Sequence, residues 1–370
     1  MSMQRGSGPV VWIAIIAATC LLLFLFQKIL WLVVPFLLAM IIYYFLRPAM
    51  QRLVLGGMGH DTAAALVGGG FIVLLLICVA LVVPWIIAHG VFWQESLARY
   101  LDGGNLLLQK TLDALEQRFS FLQRASLSRN VGNEMAAFTE TFAQRHIADL
   151  AVTLAAWLPS LLLAPFLAFF FLRDGRQFKK FLGRAVPNAF FEKTLYLLHE
   201  VDKTARSYFH GLISLTVLDA IALALGLWSI GVSAPLLLGI VSAVLAWVPY
   251  VGSILGCLLV VLVAATDFPA DPAMAYGAIG VFLLVRLLDD FIFMPLTLGR
   301  SLHIHPLLTV LMIFIGGAVA GVAGLMLVLP LLGVVMVVGE TIGRVVTDPR
   351  LQARHAHARR LQTAQASTDL

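Results

Sequence analysis

The chain is 370 residues long, 61% hydrophobic and only 12% charged, with a mean hydropathy of +0.95. A soluble domain carries about 25% charged residues, so this composition excludes an ordinary soluble protein and predicts an all-α, polytopic membrane protein whose first partner is the lipid bilayer. The net charge of +5 comes without a basic stripe interleaved with aromatics, so a nucleic-acid partner is not expected and the excess reads as a topology signal.

Residues 1–8 precede an uncharged run, Pro9–Phe26, long enough to cross a bilayer. A cleaved signal peptide competes with that assignment, but no small-residue cleavage site ends the run. A second run, Ile29–Leu46, follows Gln27-Lys28 directly, and the pair predicts a tight transmembrane hairpin whose exit is marked by Arg47, Pro48 and Arg52. Thr62–Ala88 is a third span containing Gly68-Gly69-Gly70. No Gly-Lys-Ser/Thr follows these glycines, so helix packing is expected rather than a phosphate loop. Residues 1–88 thus form an N-terminal set of three helices.

Charges recur every few residues through 89–149, six Lys/Arg against seven Asp/Glu. The segment is too polar to span and predicts amphipathic helices lying on the membrane or packed as a small extracytoplasmic cap. Leu108, Leu112, Leu115 and Phe119 make the better apolar stripe; Leu107, Thr111, Ala114 and Arg118 share a face with little pattern. Leu150–Leu172 is a fourth span, and 173–206 is basic, with eight Lys/Arg against four acids. By the positive-inside rule this segment is cytoplasmic, which places the cap outside and the N-terminus inside. Ser207–Val232 is a fifth span with a lone carboxylate, Asp219, near its middle. Asp219 reads either as part of a transport site or as a hydrogen-bonding group facing a neighbouring helix.

Residues 207–343 carry the most informative patterns. Pro235–Thr266 is 32 apolar residues, where about 20 suffice to cross. Both flanks fall on the outside, so a re-entrant hairpin over 235–266 is predicted, with its tip at Pro249-Tyr250-Val251-Gly252; a single kinked span is the alternative. Pro272–Met294 runs inward and carries Arg286, Asp289 and Asp290 near its cytoplasmic end. A charge at membrane depth costs roughly 2.5–3.5 kcal/mol on insertion scales, so such residues are functional candidates; the plainer reading is that Arg286 and Asp289 neutralise each other near the headgroups. Pro295–His305 forms a loop with Arg300, His303 and His305, and 306–338 is again too long for one span. Its flanks are both basic, predicting a second hairpin from the cytoplasm with a tip near Gly316–Gly324. Gly252-x-x-x-Gly256 and Gly317-x-x-x-Gly321 are spaced for close backbone approach. Two opposed broken segments are the means by which transporters build a midplane site. The tail, 344–370, is polar, cytoplasmic by its arginines, and reads as disordered at its end. Cys20, Cys78 and Cys257 lie in apolar runs without metal-type spacing, so neither disulfide, metal site nor cofactor is expected.

Four stretches together resemble the autoinducer-2 exporter family of bacterial membrane permeases: FFFLRDGRQFKKFLGRAVP (169–187), WVPYVGSILG (247–256), DDFIFMPLTLGRSLHIHPL (289–307) and GGAVAGVAGLMLVLPLLGVV (316–335). The resemblance implies an inner-membrane protein of about eight hydrophobic segments. It also implies export of autoinducer-2 or sodium or lithium/proton antiport, and a homo-oligomer such as a pentamer. It carries Pro249, Gly252, Asp289, Pro295, Gly299, His305, Pro306, Gly321, Gly324 and Pro330 onto motif positions. The chain departs from the family pattern at Arg286 and Asp290, where an amide is usual, and at Leu296, where a Lys is usual.

The resulting expectation is a secondary transporter of a small molecule or cation. In it Asp289, Asp290 and Asp219 bind a cation or proton and Arg286 modulates their charge. The absence of a nucleotide-binding motif points to ion coupling. An intramembrane enzyme is disfavoured because no HExxH pattern and no zinc-suited histidine pair is present. A scaffold using the 89–149 cap as a binding surface is the third class.

Overall fold

A computed structural model describes residues 9–26, 30–88, 90–119, 128, 131–132, 134–135, 162–181, 188–297 and 306–347. Among these residues there are helices and no strands. The order is α1 (Pro9–Phe26), α2 (Leu30–Leu55), α3 (His60–Ala64), a π-turn (Ala65–Gly69), α4 (Gly70–Ala88), α5 (Gly90–Arg118) and α6 (residues 162–181). There follow α7 (Asn188–Ser229), α8 (Pro235–Leu245), α9 (Val251–Asp267), α10 (Pro272–Leu288), a second π-turn (Asp289–Phe293), α11 (Met294–Thr297) and α12 (Pro306–Thr347). This is the all-α, polytopic architecture expected from composition, and the apolar segments recur in the expected order. Large apolar side chains face outward along α3–α4, among them Leu66, Val73, Leu74, Leu76, Ile77 and Leu81. A water-soluble surface would not carry such a run, whereas lipid accommodates it.

The chain divides into two compact units: residues 1–30, 176–208 and 301–370 in one, and 31–175 and 209–300 in the other. In the first, α1 packs along α12, with Ile15 against Gly339, and Lys179 pairs with Asp202 at 3.0 Å. By length and composition Leu307–Thr341 could count as one span, but its backbone leaves the helical region at Ala320 (φ −135°) and Gly321 (φ +57°). The chain doubles back there. A Cβ on Gly316 would lie 3.0 Å from Val328, and one on Gly317 would lie 3.0 Å from Leu325. Residues 12 apart in a straight helix stand about 18 Å apart, so the predicted reversal is present. The residues that touch differ from those expected. Gly316 and Gly324 make the close approach, while Gly321 has open space around it and is required for its positive φ.

In the second unit, α2 runs on past Pro48, the expected exit, to Leu55. A proline inside a helix costs about 3 kcal/mol or more, and here packing outweighs it. Buried Tyr44 stacks on Phe209 (centroids 5.5 Å apart), and the Arg47 guanidinium lies over Tyr43 and Tyr44. The helix ends instead at Gly56-Gly57, where Met58 N–H donates to Leu53 O at 3.2 Å across a Gly57 at φ +93°. Gly68 of the triple-glycine stretch packs against Phe169, where an added Cβ would come within 2.8 Å, the close helix contact expected, and the same stretch ends the first π-turn. The predicted span from Ser207 is part of a much longer helix, since α7 begins at Asn188 and includes much of the basic segment.

In α5, Leu108, Leu115 and Phe119 are exposed, and an adjoining face makes the contacts with α9 and α10. Gly103 and Gly104 press on Thr266 and Leu262 of α9, Thr111 shares a hydrogen bond with Tyr276 of α10 (2.7 Å), and Lys110 donates to Pro269 O (2.6 Å). Two glycines and a threonine carry no hydrophobic signal, yet they let α5 approach closely. The α8–α9 pair turns back over Ala246–Tyr250, and a Cβ on Gly256 of α9 would lie 3.2 Å from Ser242 on α8, so this predicted reversal is also present. Tyr250 adopts φ +63° at the turn, a left-handed conformation costly for a bulky residue. Gly252 has no room for a Cβ against the Leu245 carbonyl. The core behind it gathers Leu223, Leu227, Leu238, Val260, Val263 and Ala278.

Spin labels on a Leu311→Cys, Leu331→Cys variant test the α12 reversal. Packed antiparallel limbs put the labels within roughly 20 Å, whereas an unbroken helix puts them about 30 Å apart.

Candidate functional site

Four helices of the second unit converge on one small cavity of about 30 Å³. Asp219 enters from α7, Ser242 and Ala243 from α8, Ala246 from the turn, and Ser253 from α9. Phe282, Val285 and Arg286 come from α10, with Asp289 at the start of the second π-turn. The space suffices for a water or a small ion, which needs about 10–15 Å³ for its centre, and is too small for an organic solute. Small residues bring these side chains together. Gly239 lets α8 lie against the Ala220 carbonyl and Ala224 of α7, and Gly256 lets α9 lie against Ser242.

The charges are unevenly distributed. Asp289 is 4% exposed and Asp219 8%, while Asp290 has 54% of its side chain exposed. Arg286 Nη1 lies 2.7 Å from Asp289 Oδ2, and Nη2 lies 4.0 Å from Asp290 Oδ1. Arg286 therefore neutralises one inward and, more loosely, one outward carboxylate. Asp289 Oδ1, Asp219 Oδ1 and Ser242 Oγ are buried without hydrogen-bond partners. Buried polar atoms almost always have a partner, so three orphans on one cavity call for a water or an ion between them. The π-turn over Asp289–Phe293 lies at this point, and such widened turns are frequent at functional sites. The donor set is carboxylate and hydroxyl oxygen, suited to a proton or a hard cation. Among the described residues no group of three or more His, Cys, Asp or Glu is gathered.

Of the predicted site residues, the structure brings Asp219, Arg286 and Asp289 onto one cavity and leaves Asp290 outside it. The plainer expectation, that Arg286 and Asp289 pair, also holds, but the pairing uses only one Asp289 oxygen. Pro249, Tyr250 and Gly252 form the turn beside the cavity, and Gly256 fixes the spacing of its two limbs. Pro295 lies in α11, and Pro306 opens α12, where Gly317, Gly321, Gly324 and Pro330 belong to the other unit. Gly299 and His305, with Arg300 and His303, lie outside the described residues, as does the tail beyond 347. Ser242 and Ser253 were missed. Their one signal was a serine in each limb of an otherwise apolar hairpin.

A multi-pass helical protein with charged oxygen ligands around a buried cavity has the construction of a membrane transporter. The sequence comparisons agree. The description AI-2E family transporter matches residues 12–344, and the chain belongs to that family. It is similar to YueF, a candidate transport protein of Bacillus subtilis (strain 168), at 27% identity over 307 residues, 81% of either chain. It is also similar to a candidate transport protein of Mycobacterium tuberculosis (28% over 322 residues, 86% of this chain and 85% of that one). PerM, a candidate permease of Escherichia coli (strain K12), is 24% identical over 340 residues, 89% of this chain and 92% of that one.

Removing the cation leaves Asp289 buried without a counter-charge, whereas removing Asp290 leaves an exposed position neutral. Arg286→Gln should lower stability by roughly 2 kcal/mol, about 2–3 °C in Tm for a chain of this length, and adding Asp289→Asn should restore part of the loss. Asp290→Asn should shift Tm by less than about 2 °C. Thermal unfolding of the wild type and the three purified variants in detergent reads this directly.

Proposed function

We propose that the chain is an ion-coupled transporter of the inner membrane. In this reading the Asp219–Ser242–Asp289 cavity binds the transported or coupling ion, a proton or a small alkali cation. The observation that carries the proposal is the three orphaned oxygens on a cavity of ionic size. Arg286 holds one Asp289 oxygen and leaves the other for the ion. Movement of the α8–α9 hairpin relative to α7 and α10 would admit and release it by alternating access. Both termini face the cytoplasm in this proposal, a topology supported by the basic 173–206 segment and by Arg47 and Arg52 towards the end of α2. A homo-oligomer, with a pentamer suggested by the resemblance, completes it. The family's description favours a second reading, export of autoinducer-2 through a path that opens elsewhere or in another conformation.

Flux in proteoliposomes under an imposed pH gradient tests the proposal, with sodium, lithium and then autoinducer-2 offered. Asp289→Asn and Asp219→Asn should each reduce proton-coupled cation flux at least tenfold, and Asp290→Asn should change it by less than about threefold. Autoinducer-2 flux that needs no ion gradient and survives both inward substitutions would favour the second reading. If correctly assembled protein moves none of these solutes, the coupling mechanism fails and a scaffold role gains ground.

A further inference from the structure

The turn beside the proposed ion cavity is fastened to α7 by a different pair of residues. Trp247 sits in the turn between α8 and α9, next to Ala246, which lines the cavity. Its indole Nε1–H donates to Thr216 Oγ1 at 2.8 Å. Thr216 in turn donates its own hydroxyl proton to Leu212 O at 2.8 Å, so its oxygen is fixed in place as an acceptor. Thr216 precedes Asp219 by three residues on α7, which puts the two on adjoining parts of one helix face. The tip of the hairpin is therefore tied to the same helix that supplies the orphaned carboxylate.

The turn itself is tightly constrained. Tyr250 is held at φ +63°, and Gly252 packs on the Leu245 carbonyl with no space for a side chain. Such a turn resists small adjustments and favours swinging as one piece. At the far end, Ser233 N–H and Oγ–H both donate to the Asp267 carboxylate (2.7 and 3.0 Å), which binds the open ends of α8 and α9 together. One end of the hairpin is thus closed by a double hydrogen bond to a carboxylate, and the other is fastened to α7 by the indole–hydroxyl bond.

We propose that the Trp247–Thr216 hydrogen bond is the latch of a gate, with the α8–α9 turn lifting from α7 when it breaks and widening the mouth of the cavity. Trp247 and Thr216 are positioning residues and touch no ion. This inference rests on the ion-site reading for its purpose, but the latch has a readout independent of transport.

The test uses purified full-length protein in detergent carrying Ser253→Cys at the cavity wall. A small cationic methanethiosulfonate is the probe, and peptide mass spectrometry reads modification at position 253 alone. Trp247→Phe removes only the donor and keeps the aromatic body; Thr216→Val removes only the acceptor. Each should raise the labelling rate roughly fivefold, the factor one net hydrogen bond contributes to an opening equilibrium. The double substitution should add little beyond either single one, because both break the same bond. Trp228→Phe, at an exposed tryptophan on α7, should leave the rate unchanged. Unchanged rates in both latch variants, or an equal rise in the Trp228→Phe control, would overturn the latch. A raised rate in both latch variants together with undiminished cation flux in Asp219→Asn and Asp289→Asn would keep the latch and reject the ion site.

Discussion

A carboxylate withdrawn from water costs several kcal/mol unless a counter-charge or a ligand meets it, and the second unit is arranged around that cost. Asp289 is met on one oxygen by Arg286, one helical turn before it. Its other oxygen, and one oxygen of Asp219 on a helix seventy residues earlier in the chain, are left to the cavity. The neighbouring helices give these groups little else. Leu223, Ala243, Phe282 and Val285 supply an apolar wall, and Ser242 and Ser253 supply the hydroxyls.

The hairpin makes this possible at depth. An unbroken span satisfies its backbone internally and presents only side chains, whereas a chain that turns within the membrane must bury its turn or line water with it. In α8–α9 the turn lies beside the cavity and is fastened to α7, and small residues at Gly239 and Gly256 draw the limbs close enough for Ser242 to reach the cavity shared with Asp219. The α12 reversal obeys the same constraint with other means, a positive-φ Gly321 at the tip and Gly316 against Gly324 behind it.

Much of this was legible in the sequence because membrane depth constrains composition strongly. Run length separated ordinary spans from the two reversals, and their tips fell where proline or glycine interrupts the run. Arg286, Asp289 and Asp219 declared themselves by being charged where charge is expensive. The chain gave weaker guidance wherever tertiary packing decides. Pro48 reads as a helix end, but stacking of Tyr44 on Phe209 beside it outweighs its local cost. The leucine stripe of α5 carries its only sequence signal, while Gly103, Gly104 and Thr111, which carry none, make the contacts with α9 and α10. Asp290 is as charged as Asp289, and only the helical phase at the π-turn separates the exposed group from the buried one. Ser242 is unremarkable as a residue type; its burial with an orphaned hydroxyl is a property of the assembled helices.

The central claim is that Asp219 and Asp289 act together on one ion. Charge movement on a solid-supported membrane, recorded after a rapid step in pH, sodium or lithium, tests it at the binding step without requiring complete turnover. The account predicts a transient in the wild-type protein that is lost in Asp219→Asn and in Asp289→Asn alike, and kept in Asp290→Asn. A transient of undiminished size in Asp219→Asn would contradict it, because the orphaned oxygen on α7 would then have no part in holding the ion.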